Sequence, residues 1–212
     1  NVVAVFDTGT EIEVGTTVPY IVMEYVEGKD FQRIVELEGV LAFERAADCI
    51  AQAATGLQHA HEAGVVHRDI KPSNILLKPS GEGYQVVLLD LGLARFVTEA
   101  GKSQLGLGTP EFAAPEQICG HLVTERVDIF SLGKVFKRML SNPSNGLIST
   151  GTKGLKNLMD PLPGLLKSMT AEDVLQRPSA VQALNRLFKN RSPRVAIITA
   201  VIFIAASISV FL

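Results

Sequence analysis

The chain has 212 residues, 47% hydrophobic and 20% charged, enough for one good-sized domain or two small ones around a buried core. A net charge of −2 argues against a general nucleic-acid or acidic-surface binder. The two cysteines, Cys49 and Cys119, match no metal spacing and read as reduced core or near-core thiols of a cytosolic domain.

The chain opens on Asn1 at the edge of an apolar run, "NVVAVFD", with no signal-peptide pattern; this predicts a fragment cut inside a domain. Val2–Phe6 and Tyr20–Val26 are β-branched and aromatic runs, expected as strands. Asp7–Pro19, polar and Gly-containing, is expected as the link between them. Phe31–Glu38 predicts a short helix. Glu44–Ala63 carries Ala47, Ile50, Ala54 and Leu57 at helical spacing, with Gly64 as its C-cap. Val65–Val66 and Ile75–Leu77 are expected as short buried pieces. The turn "PSGEG" leads into a strand at Tyr84–Leu89.

Phe96–Gly108 reads as a loop. A helix is predicted from Glu125 to Leu140, with Thr124 as N-cap and Ile129, Leu132, Phe136, Met139 and Leu140 along one side. Ser141–Lys153 is expected as loop, and two or three helices fill Leu155–Lys189. The fold class is therefore α+β, mostly helical with a few strands at the front.

Residues 195–212 contain no charge, Gly or Pro. As a helix they would reach ~27 Å, close to a bilayer core. "KNRSPR" lies just before them, and the positive-inside rule puts that side in the cytoplasm. The expectation is a single-pass transmembrane helix in the cell membrane; a buried C-terminal helix is the alternative.

The chemistry is concentrated in "HRDIKPSNILL", His67–Leu77. Phosphoryl transfer needs a carboxylate to orient and deprotonate a hydroxyl, oxygen ligands for a divalent cation, and positive charge on the moving phosphate. This loop offers all three residue types. "LLDLGLAR" supplies a second Asp at a strand end, and the apolar "ILL" anchors the polar loop to the core.

On these residues the chain resembles the eukaryotic-like protein kinases, most closely the bacterial serine/threonine kinases. His67-Arg68-Asp69 with Lys71 and Asn74 resembles the catalytic loop. Asp90-Leu91-Gly92 resembles the metal-binding triplet, with Leu for the usual Phe. "GTPEFAAPE" (108–116), "DIFSLG" (128–133) and "RPSA" from Arg177 resemble the close of the activation loop, the central helix and the last turn of the family pattern, in the family's order.

The resemblance implies a protein-kinase-like fold, chiefly the helical large lobe, using ATP with Mg²⁺ or Mn²⁺ on protein Ser/Thr hydroxyls. It implies roles residue by residue. Asp69 would accept the hydroxyl proton. Lys71 would touch the transferring phosphate. Asn74 and Asp90 would hold the metal, and Thr109 would bond Asp69 and Lys71. Asp128 would accept backbone N–H groups near His67 and Arg68, while Glu116 and Arg177 would form a buried ion pair. In the hinge-like "IVMEYVEGKD" (21–30), backbone groups of Glu24 and Val26 would hold adenine. Met23 would be the gatekeeper, Asp30 would meet the ribose, and Leu76 would floor the pocket. Arg68 would meet an activation-loop phosphate on Thr98, Ser103 or Thr109. His59 and His61 match nothing catalytic and read as surface or satisfied helix histidines.

The family's Gly-rich loop, its ATP-binding Lys and the partner helical Glu have no counterpart in the sequence. The expected division is thus a small-lobe remnant at 1–26, the large lobe at 27–190, a basic linker at 191–194 and the membrane helix at 195–212. The chain alone is expected to be inactive. A pseudokinase or kinase-like scaffold is the alternative to an enzyme. The segment between Gly133 and Arg177 is shorter than the family's, which puts docking through that surface in doubt. Homodimerisation is compatible with the sequence but has no motif behind it.

Overall fold

Helix α2 (Phe43–Glu62) is the axis around which the chain is arranged in the computed structural model, which describes residues 1–13, 16–39, 41–81, 83–91, 109–142, 146–147 and 162–188. Its inward residues are mostly small: Ala46, Ala47, Ala53 and Ala54 are fully buried beside Ile50 and Leu57. That narrow face lets α4 (Arg126–Leu140), α6 (Ala180–Phe188) and β5 (Gly83–Leu88) pack closely on it. Helix α2 stops where Gly64 takes φ 74° and donates its N–H to the carbonyl of His61, a backbone state that favours glycine.

Helix α5 (Leu162–Met169) lies on α4. The contact depends on Gly133, where a Cβ would stand 2.8 Å from Met169 Cβ and 2.9 Å from Thr170 Cγ2. Glycine normally weakens a helix interior, but here it permits the approach. Gly133→Ala should therefore cost ~1–3 kcal/mol through overpacking despite alanine's better helix propensity, measurable by denaturant unfolding.

The strands form small antiparallel ribbons. Hairpin β1–β2 pairs Val5–Glu13 with Thr16–Met23. This corrects the sequence expectation: most of Asp7–Pro19 is strand and not a link, while Val2 makes only an isolated parallel bridge to Leu88. A second sheet has the order β3–β4–β5, from Lys29–Asp30, Ile75–Ser80 and Gly83–Leu88. Helix α1 (Phe31–Glu38) follows β3 directly, capped by Asp30, whose Oδ1 accepts from Arg33 N–H at 2.8 Å. The short pairs β6 (Ser141–Asn142) and β7 (Gly146–Leu147) lie in the stretch expected to be loop. Between them and β5 comes α3 (Pro115–Ile118).

Helices α1, α2, α4, α5 and α6 share with strands β4 and β5 one main core, which includes Phe31, Ile50, Ile75, Leu88, Leu132, Phe136 and Met169. The α+β expectation holds. Two details differ from the sequence reading. Helix α4 is capped one residue later, at Glu125, although Thr124 Oγ1 still accepts from Arg126 N–H at 3.4 Å. Cys119 is exposed and not near-core; Cys49 is buried, and burial pushes its thiol up to about 12.

The expected activation loop, with Thr98 and Ser103, and the apolar stretch 195–212 lie outside the described residues. Among the described residues no helix is long and apolar enough to cross a membrane.

Candidate active site

The polar loop at 67–74 is held from both sides. Ile70 and Ile75 are buried in the main core, so the loop is anchored by apolar residues inside and just after it. From the other side comes Asp128, fully buried in the first turn of α4. Its Oδ2 accepts from His67 N–H at 2.9 Å and its Oδ1 from Arg68 N–H at 2.8 Å. His61 Nε2 also sits 2.8 Å from Asp128 Oδ2. A buried carboxylate without such partners would be costly, and these bonds compensate it.

Arg68 takes φ 68°, a left-handed state that costs a non-glycine residue ~1–3 kcal/mol and persists only where surroundings enforce it. Here the enforcement is visible at both ends of the residue. Asp128 holds its N–H, and Gln117 Nε2 from α3 donates to its carbonyl at 2.5 Å.

Asp69 comes next. Its Oδ2 lies 2.7 Å from Lys71 Nζ and accepts from Asn74 Nδ2 at 3.1 Å. Asn74 Nδ2 also donates to the Asp69 carbonyl at 2.9 Å, so a 3₁₀ turn at Pro72–Asn74 folds the amide back onto the carboxylate. Asn74 is nearly buried. With its nitrogen committed to Asp69, the amide's orientation is fixed and Oδ1 faces away as an acceptor.

Asp90 is brought in through its neighbour. Leu89 N–H donates to the Asn74 carbonyl at 2.9 Å, and Leu89 O lies 2.8 Å from His67 Nε2. Asp90 follows with φ 60°, turning the chain out of β5. The structure thus gathers Asp69, Lys71 and Asn74 by direct contact and ties Asp90 to them through one backbone bond. Thr109 behaves differently from the expectation. Its carbonyl closes a turn with Phe112 and Ala113, and among the described residues its hydroxyl bonds neither Asp69 nor Lys71, whose charges pair with each other instead.

The hinge-like residues gather nearby. Met23, Val26, Leu76, Leu89, Val3 and Val87 form a separate small apolar cluster. Strand pairing sets Leu76 opposite Asp30. Gly28 passes so close to β4 that a Cβ would stand 2.4 Å from both Leu76 Cδ2 and Leu77 O. Asp30 uses Oδ1 as the α1 cap, and the Glu24 carboxylate lies 3.9 Å from Lys78 Nζ. A cleft of about 410 Å³ opens beside this region, lined by Lys29, Ile34, Arg45, Leu77 and Tyr84 among others; none of Asp69, Lys71, Asn74 and Asp90 lines it.

Beyond the loop, Arg177 meets Glu116 in a two-pronged pair, with Nη1–Oε1 at 2.5 Å and Nη2–Oε2 at 2.9 Å. Arg177 is 1% exposed. Its remaining donors go to the carbonyls of Ala171, Glu172 and Arg126 at 2.7, 3.1 and 3.4 Å, and its guanidinium lies 4.9 Å from the centre of the Phe130 ring. Burial by itself would raise the Glu116 carboxyl. Burial is the largest single influence, but the hydrogen bonds from Arg177, a backbone N–H and the nearby positive charge together outweigh it and hold the carboxyl below its ordinary value.

Two contacts were not foreseen from the sequence. His61 is a satisfied helix histidine, as expected, but its partner is Asp128; the signal was its i+4 spacing from the buried Leu57 on α2. Gln117 carried no signal, because its partner, the carbonyl of Arg68, lies 49 residues away in the chain.

Metal fit can be judged from the donors. Mg²⁺ prefers hard oxygen ligands and is usually held by one or two carboxylates together with substrate phosphates. Asn74 Oδ1 and the Asp90 carboxylate are donors of that kind, on backbone tied together through Leu89, so the residues present fit the ion.

The chain is similar to known proteins in sequence and in fold. The protein kinase domain family matches residues 1–188. The serine/threonine-protein kinase PknB of Mycobacterium tuberculosis is 38% identical over 144 residues, covering 66% of this chain and 22% of that protein. PknA of the same species is 38% identical over 150 residues, covering 68% and 34%. The chain thus spans between about a fifth and a third of the length of these curated relatives. The crystal structure of the M. tuberculosis PknI kinase domain superposes with a TM-score of 0.64 at 23% identity, covering 90% of this chain and 72% of that one, which shows the fold. With a kinase fold and the polar loop, Asp128 clamp and Glu116–Arg177 pair found together, the chain belongs to the protein kinase domain family.

Proposed function

We propose that this chain forms the catalytic-loop and protein-substrate part of a serine/threonine protein kinase that moves the γ-phosphate of ATP to protein Ser/Thr hydroxyls. The observation that carries the reading is the Asp69 carboxylate, held by Lys71 and Asn74 on a loop whose backbone is clamped by Asp128. A non-catalytic scaffold would have no use for that full set, which favours the enzyme over the pseudokinase reading.

In this mechanism Asp69 Oδ orients the acceptor hydroxyl and takes its proton as the new bond forms. Lys71 places positive charge on the transferring phosphate and shields Asp69 from it. Asn74 and Asp90 would hold a divalent cation, Mg²⁺ or Mn²⁺, which would neutralise charge on the ATP phosphates. Backbone groups of Glu24 and Val26 hold adenine against Leu76, and the second Asp30 oxygen is left for the ribose. Thr109 lines the acceptor side.

We assign residues 1–26 to the small lobe, 27–190 to the large lobe, 191–194 to a basic linker and 195–212 to a membrane helix. The hydropathy of that last stretch supports a cell-membrane protein with a cytoplasmic kinase domain. The roof of the nucleotide site is expected outside these 212 residues, so the intact kinase is expected to be active and the chain alone inactive.

The test is transfer of labelled phosphate from ATP to a protein acceptor by the intact kinase. Asp69→Asn should lower kcat about a hundredfold or more while leaving the circular dichroism spectrum unchanged. Undiminished transfer by that variant would overturn the assignment.

A further inference from the structure

We infer that Gln117 is a positioning residue for Asp69. The inference rests on the proposed role of Asp69 as base.

The peptide group between Arg68 and Asp69 carries two polar atoms, the Arg68 carbonyl oxygen and the Asp69 N–H. Gln117 Nε2 donates to the first at 2.5 Å. His67 Nδ1 accepts from the second at 3.4 Å. The plane of the peptide that precedes the base is thus gripped at both edges. Because Arg68 sits at φ 68°, this plane is rotated away from where an ordinary extended or helical residue would place it, and some group must hold it there. Asp128 grips the preceding peptide, at Arg68 N–H, and cannot by itself fix the rotation about the next bond. Gln117 supplies that constraint.

Its own position is fixed in turn. Gln117 is 8% exposed and lies on α3. Its neighbour Glu116 is nailed to Arg177, and its backbone N–H donates to the Ala114 carbonyl. The aim of the Asp69 carboxylate is therefore set partly by where α3 sits. A displacement of α3 would turn the base without touching it. The role is one of geometry: Gln117 does not meet the substrate.

The experiment uses the intact kinase with Gln117→Met, which keeps length and shape but loses the donor, and Gln117→Lys, which keeps a donor of similar reach. Gln117→Met should lower kcat about tenfold with KM for ATP unchanged within about twofold, as expected for one hydrogen bond that orients a base. The Asp69 amide should exchange with solvent about tenfold faster, while the amide of Ile50 in α2 is unaffected. Gln117→Lys should recover kcat to within about threefold of the wild type. A Gln117→Met enzyme with wild-type kcat would overturn the inference, and so would a Gln117→Lys enzyme as impaired as Gln117→Met, which would assign the effect to packing. If the wild-type protein transfers no phosphate, the kinase reading fails. Exchange at the Asp69 amide then decides the positioning claim alone, faster exchange in Gln117→Met supporting it and unchanged exchange refuting it.

Discussion

Glu116→Ala should lower the unfolding free energy by ~3–5 kcal/mol and the midpoint of thermal unfolding by roughly 6–20 °C. The magnitude comes from the charge left behind. Arg177 is fully enclosed, so removing its counter-ion strands a guanidinium in a poorly solvated site. Its bonds to the Ala171 and Glu172 carbonyls and its contact with the Phe130 ring compensate part of that loss and keep it from being larger. Removing both partners together, as Glu116→Leu with Arg177→Met, should recover much of the loss, because neither charge is then stranded.

The pair also sets an acid limb. The Glu116 carboxyl is held below its ordinary 4.5 in the folded state. A group depressed in this way contributes stability that is fully present above the unfolded value and is lost as pH falls through the folded value. Stability of the wild type should thus decline below pH 4.5, and the decline should be shallower in Arg177→Met. Calorimetric scans across that range decide it; parallel acid limbs would show that the pair does not govern them.

Asp128→Ala is the second large effect. Three donors converge on this carboxylate: His67 N–H, Arg68 N–H and the His61 ring. Removing it orphans two backbone donors in a buried place, at ~1–3 kcal/mol each, and frees the loop that carries Asp69. Stability should fall by ~3–5 kcal/mol, and phosphate transfer by the intact kinase about a hundredfold or more, since a displacement near 1 Å at a reacting group is enough for that. Asp128→Asn keeps one acceptor oxygen but turns an NH₂ toward a donor, so it should fall between the wild type and Asp128→Ala. Near-normal transfer by Asp128→Ala would remove the clamp from the mechanism.

The polar loop was legible in the sequence because its chemistry is local. Asp69, Lys71 and Asn74 lie within six positions, and the following apolar run announces its own burial. The contact of Asp128 with the loop and the Glu116–Arg177 pair were legible only through the family resemblance, since each joins residues about 60 positions apart. The β1–β2 hairpin was missed for a physical reason. Val18, Tyr20 and Val22 on one face are exposed, as are Asp7, Thr8 and Glu11 in the partner strand, so no alternation between buried apolar and exposed polar residues marks it. Gly9 adds to the disguise, although its missing side chain is filled by the Tyr20 ring, 2.5 Å from where a Cβ would lie. The one-residue shift at the start of α4 is ordinary, because Thr124 and Glu125 share the capping region.

The Gly133 contact has a bearing on how this family can diverge in length. It pins α4 to α5, and Arg177 pins the stretch after α5 back to α3, so the chain joining Leu140 to Leu162 is fixed at both its ends by bonds that do not involve it. Closing such a connection costs entropy that rises only logarithmically, by ~0.6 kcal/mol for each doubling, several times less than the loss expected on breaking the ion pair. Insertions and deletions there are thermodynamically cheap, and a kinase of this design can gain or lose a whole surface between those anchors while the geometry around Asp69 stays the same.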